Sequence, residues 1–223
     1  MKRNNRLWLV LVLICVVALA AGLTTGFATQ ENMQSDTQVL EAATNAKVSL
    51  MRMSVVPLDA LVQQPEEIRY SEASIAQAKQ QAALDYHQYY AGAMGDRFQQ
   101  MYQESPENLD MSALDVDAGA TDAQLIHMET ISDTERRIQF SLVDWLTTIH
   151  RQGDQYKVRV IFNRDTLTEY MRLENGNWKV LKIEEHQKEF APDGYEYNKG
   201  LFDTMEEAVA FVQSMDMEAE NPF

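Results

Sequence analysis

The sequence predicts an α+β domain in which helices come first, an antiparallel meander follows, and a last helix closes the chain. Three observations carry this. The apolar period changes from about 3.6 residues to about 2 near residue 122. Two dipeptides, Gly153-Asp154 and Asn175-Gly176, stand where tight hairpin turns are needed, and each gives a sensible register for its flanking strands. Thr204 and Glu207 then form the pattern of a helix capping box ahead of an apolar-periodic run. The 223 residues, 45% hydrophobic and 24% charged, suit one compact core and exclude both a disordered tail and a polytopic membrane protein.

At the start, Lys2, Arg3 and Arg6 precede an uncharged apolar run over residues 7–23. A spanning helix needs about 20 such residues and a secretory signal about 7–15. Residues 1–28 therefore read as a signal peptide or as an N-terminal membrane anchor through residues 7–23, and the alternative stays open. Ala18/Ala20 and Gly26/Ala28 suit signal peptidase, while the Leu/Val-rich run suits retention in the bilayer. Cys15 lies within the run, with Ile14 where a lipobox requires a small residue, and reads as a membrane-buried cysteine. The basic residues stay on the cytoplasmic side, so the rest of the chain is expected outside the membrane. Residues 29–36 form a polar linker, residues 37–215 a single domain, and residues 216–223 an acidic tail.

Asp36 or Thr37 caps a first helix carrying Val39, Leu40, Ala43, Ala46 and Leu50 at spacings of three and four, which Pro57 ends at about Val56. An irregular stretch runs through Pro65. Ser71 caps the longest periodic segment, with Ile75, Ala78, Ala82, Tyr86, Tyr89, Ala93 and Met101 on one face. Gly92 and Gly95 weaken it and predict a kink or an early end. Pro106 closes it, and the acidic residues 107–122 read as weakly structured.

Strands are expected over 124–131, 137–150 and 156–164. In the second of these the apolar alternation changes phase, which predicts a bulge near Val143 and Asp144. Pairing Gln152 with Gln155 sets Ile149 opposite Val158 and Trp145 opposite Phe162. Pairing Glu174 with Asn177 sets Leu173 opposite Trp178 and Met171 opposite Val180. Residues 191–203 link the sheet to a last helix with Met205, Ala208, Val209, Val212 and Met215 on its inner face.

Long helices followed by a meander with a bulged long strand resemble the cystatin-like α+β cone of the nuclear transport factor two-like superfamily, over about residues 71–190. The best local match is Glu174-Asn175-Gly176-Asn177-Trp178-Lys179-Val180, similar to the turn and final strand of many exported members. The resemblance implies N-terminal helices packed on a curved, cone-like sheet, with the C-terminal helix as an addition. It also implies two kinds of function. Some members are isomerases, dehydratases or cyclases with a pocket between sheet and helix, and others are non-enzymatic scaffolds behind one membrane helix.

The candidate pocket residues are Tyr86, Tyr89, Asp144 and Trp145. Asp144 lies in an apolar strand, where it is either a buried general base or turned to solvent by the bulge. Tyr86 and Tyr89 share the inner helix face, where a phenol can donate to an oxyanion or simply pack. No catalytic signature, cofactor motif or metal site is found. His127, His150 and His186 lack metal-ligand spacing, and a calcium loop counted from Asp115 through Asp117 and Asp122 fails at Gly119, Ala120 and Ile126. With 19 basic and 34 acidic residues, a net charge of -15 excludes nucleic-acid binding. The expectation is a membrane-tethered or secreted non-enzymatic module of the cell envelope that binds a protein partner or self-associates. The alternative is a small-molecule-binding or isomerase/dehydratase-like enzyme using the cone pocket.

Overall fold

The computed structural model describes residues 36–59, 71–104, 113–191 and 196–223, so the apolar run and most of the linker lie outside the described residues. The chain divides into two units, Met1–Val39 and Leu40–Phe223. Of the first, the described residues 36–39 are helical. The second unit is α+β, with an open antiparallel sheet of five strands among the described residues. No helix of the described residues is long and apolar enough to cross a membrane.

Residues 36–51 form helix α1. It stops a turn and a half before the expected Val56. Val56 is fully buried, and its N–H donates to the Asp115 carbonyl (2.7 Å), so the chain is already paired with the sheet there. The residue before a proline is in any case poorly suited to a helix.

The single long helix expected after Ser71 is instead three pieces. Helix α2 spans Glu72–Ala82 behind the Ser71 cap, a single 3-10 turn covers Tyr86–Gln88, and helix α3 spans Gly92–Glu104. The break comes at Ala83, in the left-handed region at φ 35°, and again at Gly92. Between them the backbone pairs with the sheet: Ala91 N–H donates to the Val180 carbonyl and Val180 N–H to the Tyr89 carbonyl, both at 2.9 Å. Gln99 fills the gap from α3, accepting from Tyr86 N–H and donating to the Leu84 carbonyl. Tertiary hydrogen bonds thus replace the helical ladder that the periodicity favoured. Met101, expected inside, is 42% exposed as a result.

The sheet is larger than the sequence reading. Strand β1 spans Ala113–Ser132, β2 Glu135–Gln152, β3 Gln155–Glu174, β4 Asn177–Phe190 and β5 Glu196–Phe202. Residues 113–122, read as weakly structured, alternate Leu114, Val116 and Ala118 inward with Asp115 and Asp117 between them. Their acidity hid a period of 2. Both hairpin registers are as expected, with Ile149 opposite Val158 and Trp145 opposite Phe162, and Leu173 opposite Trp178 and Met171 opposite Val180.

The irregularity expected in β2 lies on its partner. β2 pairs with β3 without a break, whereas β1 carries two residues, Asp122 and Ala123, opposite Leu142 alone, and Asp122 takes φ 52°. The apolar phase changes in β2 because Leu142, Val143 and Asp144 are all buried, which means the sheet is covered on both faces there. The expected link over 191–203 contains β5, which pairs with the first half of β3 while β4 pairs with the second.

One face of β2 and β3 carries Ile138, Phe140, Leu142 and Asp144 opposite Glu169, Leu167, Asp165 and Asn163. The other face carries Ile149 and Val158, which join Leu114, Ile75 and Ala78 in one apolar cluster with Met205, Ala208 and Val212 of helix α4 (Met205–Ser214). Beside it, Val143, Val160 and Phe162 cluster with Met217, and Trp145 and Phe223 pack against them.

The capping box is formed: Thr204 Oγ1 accepts from Glu207 N–H (3.2 Å) and Glu207 Oε2 accepts from Thr204 N–H (3.3 Å). Thr204→Ala is expected to lower stability by about 1 kcal/mol, read as a shift in urea midpoint at unchanged slope. An unchanged midpoint would mean that the cap contributes nothing.

Candidate functional site

The covered polar face of the sheet holds a group of ionisable side chains brought together from four elements. Strand pairing does most of the positioning. Asp144 lies directly opposite Asn163, and Asp165, two residues further along β3, points to the same side. His186 lies across from Leu167 on β4, diagonal to Asp165. Lys47 comes from α1, one residue after the buried Ala46.

The Lys47 ammonium bridges the two carboxylates. Its Nζ is 2.7 Å from Asp165 Oδ2 and 3.1 Å from Asp144 Oδ2, and both aspartate side chains have 0% exposure. Asn163 Nδ2 donates to Asp144 Oδ1 at 2.9 Å. His186 Nε2 lies 2.7 Å from Asp165 Oδ2, and with 39% of its side chain exposed it is the rim of the group. An ionised carboxylate only accepts, so this contact places the proton on Nε2.

The two aspartates differ electrostatically. Burial raises the Asp144 pKa and outweighs the help of Lys47 and Asn163, leaving it above the ordinary carboxylate value. Burial works the same way on Asp165, but the closer Lys47, with His186 behind it, holds this acid below the ordinary value. Burial likewise opposes the Lys47 charge, yet the two carboxylates keep its pKa raised. A lysine so held is a cation and not a nucleophile.

Further along the same face of β3, Glu169 is 1% exposed, and burial pushes its pKa up to about 8 against the pull of Lys47. It is a neutral acid at pH 7. Two phenols complete the region. Tyr86 Oη donates to the Ser49 carbonyl (2.8 Å) and Tyr90 Oη to the Ala46 carbonyl (2.6 Å), both on α1. Burial raises both phenol pKa values, so both remain donors. Three buried oxygens, Asp165 Oδ1, Asn163 Oδ1 and Glu169 Oε2, have no hydrogen-bond partner among the described residues.

The residues singled out in the sequence do not converge. Asp144 is interior and not turned to solvent. Trp145, its neighbour in the strand, points to the opposite face, where its Nε1–H donates to Asp117 Oδ2 (3.3 Å) and its ring covers Gly119 so closely that an added Cβ would come within 2.3 Å of it. Tyr86 is buried with its hydroxyl committed to α1. Tyr89 is partly exposed, and Tyr90 takes the inner position instead, because the 3-10 turn and the bridge to Val180 rotate and extend the chain more per residue than a continuous α-helix would.

Sequence reasoning missed Lys47, Asn163, Asp165 and Glu169, weighed His186 only as a metal ligand, and took Tyr90 only as one of a tyrosine cluster. A signal was present: in β3, Asn163, Asp165 and Glu169 fall on alternate positions of a strand otherwise rich in Val, Ile, Phe and Leu, which aims polar groups at the core.

A separate half-open hollow of about 460 Å³ lies between α2 and α3, lined by Lys79, Leu84, Asp85, Gln99 and Tyr102. Several of its polar groups are already engaged: Tyr102 Oη donates to the Lys79 carbonyl and Lys79 Nζ to the Met53 carbonyl. Among the described residues no cluster of His, Cys, Asp and Glu is placed to hold a metal ion. Comparison with protein-family models, curated proteins and solved structures gave no match.

Proposed function

We propose that the chain is an extracytoplasmic domain, tethered by or exported with its N-terminal apolar segment, that binds a protein partner in the cell envelope and catalyses no reaction. The reading takes the domain as a cone of the nuclear transport factor two-like kind. Support for that architecture comes from the helices preceding an antiparallel sheet, the long β2, and the hairpin at Glu174–Asn177. The charge of -15 favours a partner whose contact surface is basic or neutral.

One observation carries the non-enzymatic reading. The polar groups on the sheet face where a cone enzyme would receive substrate are filled from within: Lys47 bridges Asp144 and Asp165, both without exposure, and the Tyr86 and Tyr90 hydroxyls bond to α1. A general base needs hydrogen-bond reach to a substrate proton, and Asp144 offers none in this arrangement.

The test is gentle detergent extraction of the full chain from its own membranes after cross-linking, followed by sizing. A discrete complex larger than the monomer is expected, with Asp144→Asn leaving its abundance unchanged in proportion to folded protein. A monomer without partner, together with a turnover that Asp144→Asn abolishes, would replace this reading with the pocket-enzyme alternative.

A further inference from the structure

We propose that the hairpin turn at Asn175-Gly176 is a site of spontaneous deamidation, and that its isoaspartyl product separates β4 from β3 starting at the tip. The inference stands apart from the protein-binding reading. Of the asparagines among the described residues, Asn175 alone precedes a glycine. Deamidation requires the backbone nitrogen of the following residue to reach the asparagine side-chain carbon, and a glycine puts no side chain in the way of that approach.

The turn leaves both reacting groups open. Asn175 and Gly176 are exposed, at φ 54° and 82°, as a two-residue type I′ turn requires. A Cβ added to Gly176 would meet nothing within 4 Å. Neither the Asn175 carboxamide nor the Gly176 N–H has a hydrogen-bond partner among the described residues. Only the local preference of the turn keeps the carboxamide from the glycine nitrogen, and a hairpin tip belongs to the low-stability end of local opening.

The chemistry balances with water as the one co-reactant. Gly176 N attacks Asn175 Cγ, the N–C bond forms, the Cγ–Nδ2 bond breaks, and ammonia leaves carrying the glycine proton. Water then opens the five-membered imide at either carbonyl. Opening at Cγ gives an ordinary aspartate. Opening at the main-chain carbonyl gives isoaspartate, whose backbone runs through Cβ and Cγ and is one atom longer.

The two products act differently on the fold. Asp-Gly is itself a type I′ pair, so the first keeps the register that sets Glu174 opposite Asn177, Leu173 opposite Trp178 and Met171 opposite Val180. The second lengthens a loop whose register depends on having two left-handed residues, and the closing pair is lost. The loss reaches the interior through Val180. This residue is fully buried, its N–H donates to the Tyr89 carbonyl and its carbonyl accepts from Ala91 N–H, next to the start of α3.

The test ages the full chain in mild detergent at mildly alkaline pH, then digests it and fragments the peptides so that aspartate and isoaspartate are distinguished. Asn175 is expected to convert to both products at least roughly tenfold faster than Asn177, which is exposed in the same hairpin but precedes Trp178. In the isoaspartyl fraction the amides of Val180 and Ala91 should exchange faster and the urea midpoint should fall, whereas Asn175→Asp should match the unaged chain. Asn175→Gly keeps a type I′ pair without the carboxamide and should show no fall of midpoint on aging.

An Asn175 that stays intact in the folded chain while it converts in urea would overturn the site, because the turn would then be protecting it. Equal conversion of Asn175 and Asn177 would remove the role given to Gly176. An isoaspartyl fraction with the midpoint and exchange of the unaged chain would overturn the separation of β4. The wild-type digest decides the site whether or not either variant folds.

Discussion

Lys47→Met is expected to destabilise the folded domain by about 3–5 kcal/mol at pH 7, the largest single effect among the polar side chains. The substitution keeps the length of the apolar stem and removes only the charge that sits 2.7 Å and 3.1 Å from Asp165 and Asp144. What remains is a pair of fully buried carboxylates facing each other with one amide and one rim histidine for support. Breaking a buried ion pair from one side leaves the other charge desolvated, and here two charges are left.

The loss should depend on pH with a definite sign. Without Lys47 the main interactions that oppose burial at Asp144 and Asp165 are gone, so both pKa values move up from their wild-type positions and the variant regains stability relative to the wild type as pH falls. Urea unfolding at pH 5 and pH 7 should therefore show a smaller gap between variant and wild type at the lower pH. A second variant that also carries Asp144→Asn and Asp165→Asn should recover part of the loss, because the charges left unpaired are gone. A loss under about 1 kcal/mol at pH 7 would show that the group is open to water and not the buried bridge described above.

Glu169→Gln should act in the opposite direction and stabilise the domain by about 2–3 kcal/mol at pH 7. The unfolded chain ionises Glu169 near the ordinary glutamate value of 4.5, whereas the folded chain keeps the proton until about pH 8. For an acid raised in this way, stability is fully present below pH 4.5 and falls as pH rises to about 8, where it levels off. Replacing the carboxyl by an amide of the same shape removes that slope. Unfolding midpoints at pH 5, 7 and 9 check it. Across this range the wild type should lose stability relative to the variant, and parallel curves would mean that Glu169 is solvated and ionised at pH 7.

These two residues also illustrate why the site was harder to read than the fold. Lys47 sits among Ala43, Ala46 and Leu50, and on a helical wheel it borders their stripe, where a lysine usually lies along the surface with its head in water. Its burial follows from what α1 meets, namely two aspartates more than 90 residues further along the chain. Glu169 occupies a strand position that alternation assigns to the interior, but no sequence rule says that an acid there stays inside and neutral. Tyr90 took the place expected for Tyr89 because Val180, far along the chain, captured the backbone at Ala91 and broke a helix that local periodicity favoured.

The amino-acid sequence by itself determined the features set by contacts within a few residues. These are the helix caps at Ser71 and Thr204, both hairpin turns with the cross-strand partners they dictate, and the α-then-β order that makes the domain α+β. Turn geometry and capping act over short separations, so the residues that cause them are neighbours in the chain. Only the tertiary structure decided where the chain departs from those local preferences: the break at Ala83, the early start of β1 in an acidic stretch, the strand at 196–202, and the meeting of Lys47 with Asp144 and Asp165. Each rests on a partner distant in sequence whose hydrogen bond or charge outweighs about 1 kcal/mol of local propensity, and such partners become visible only once the sheet has assembled.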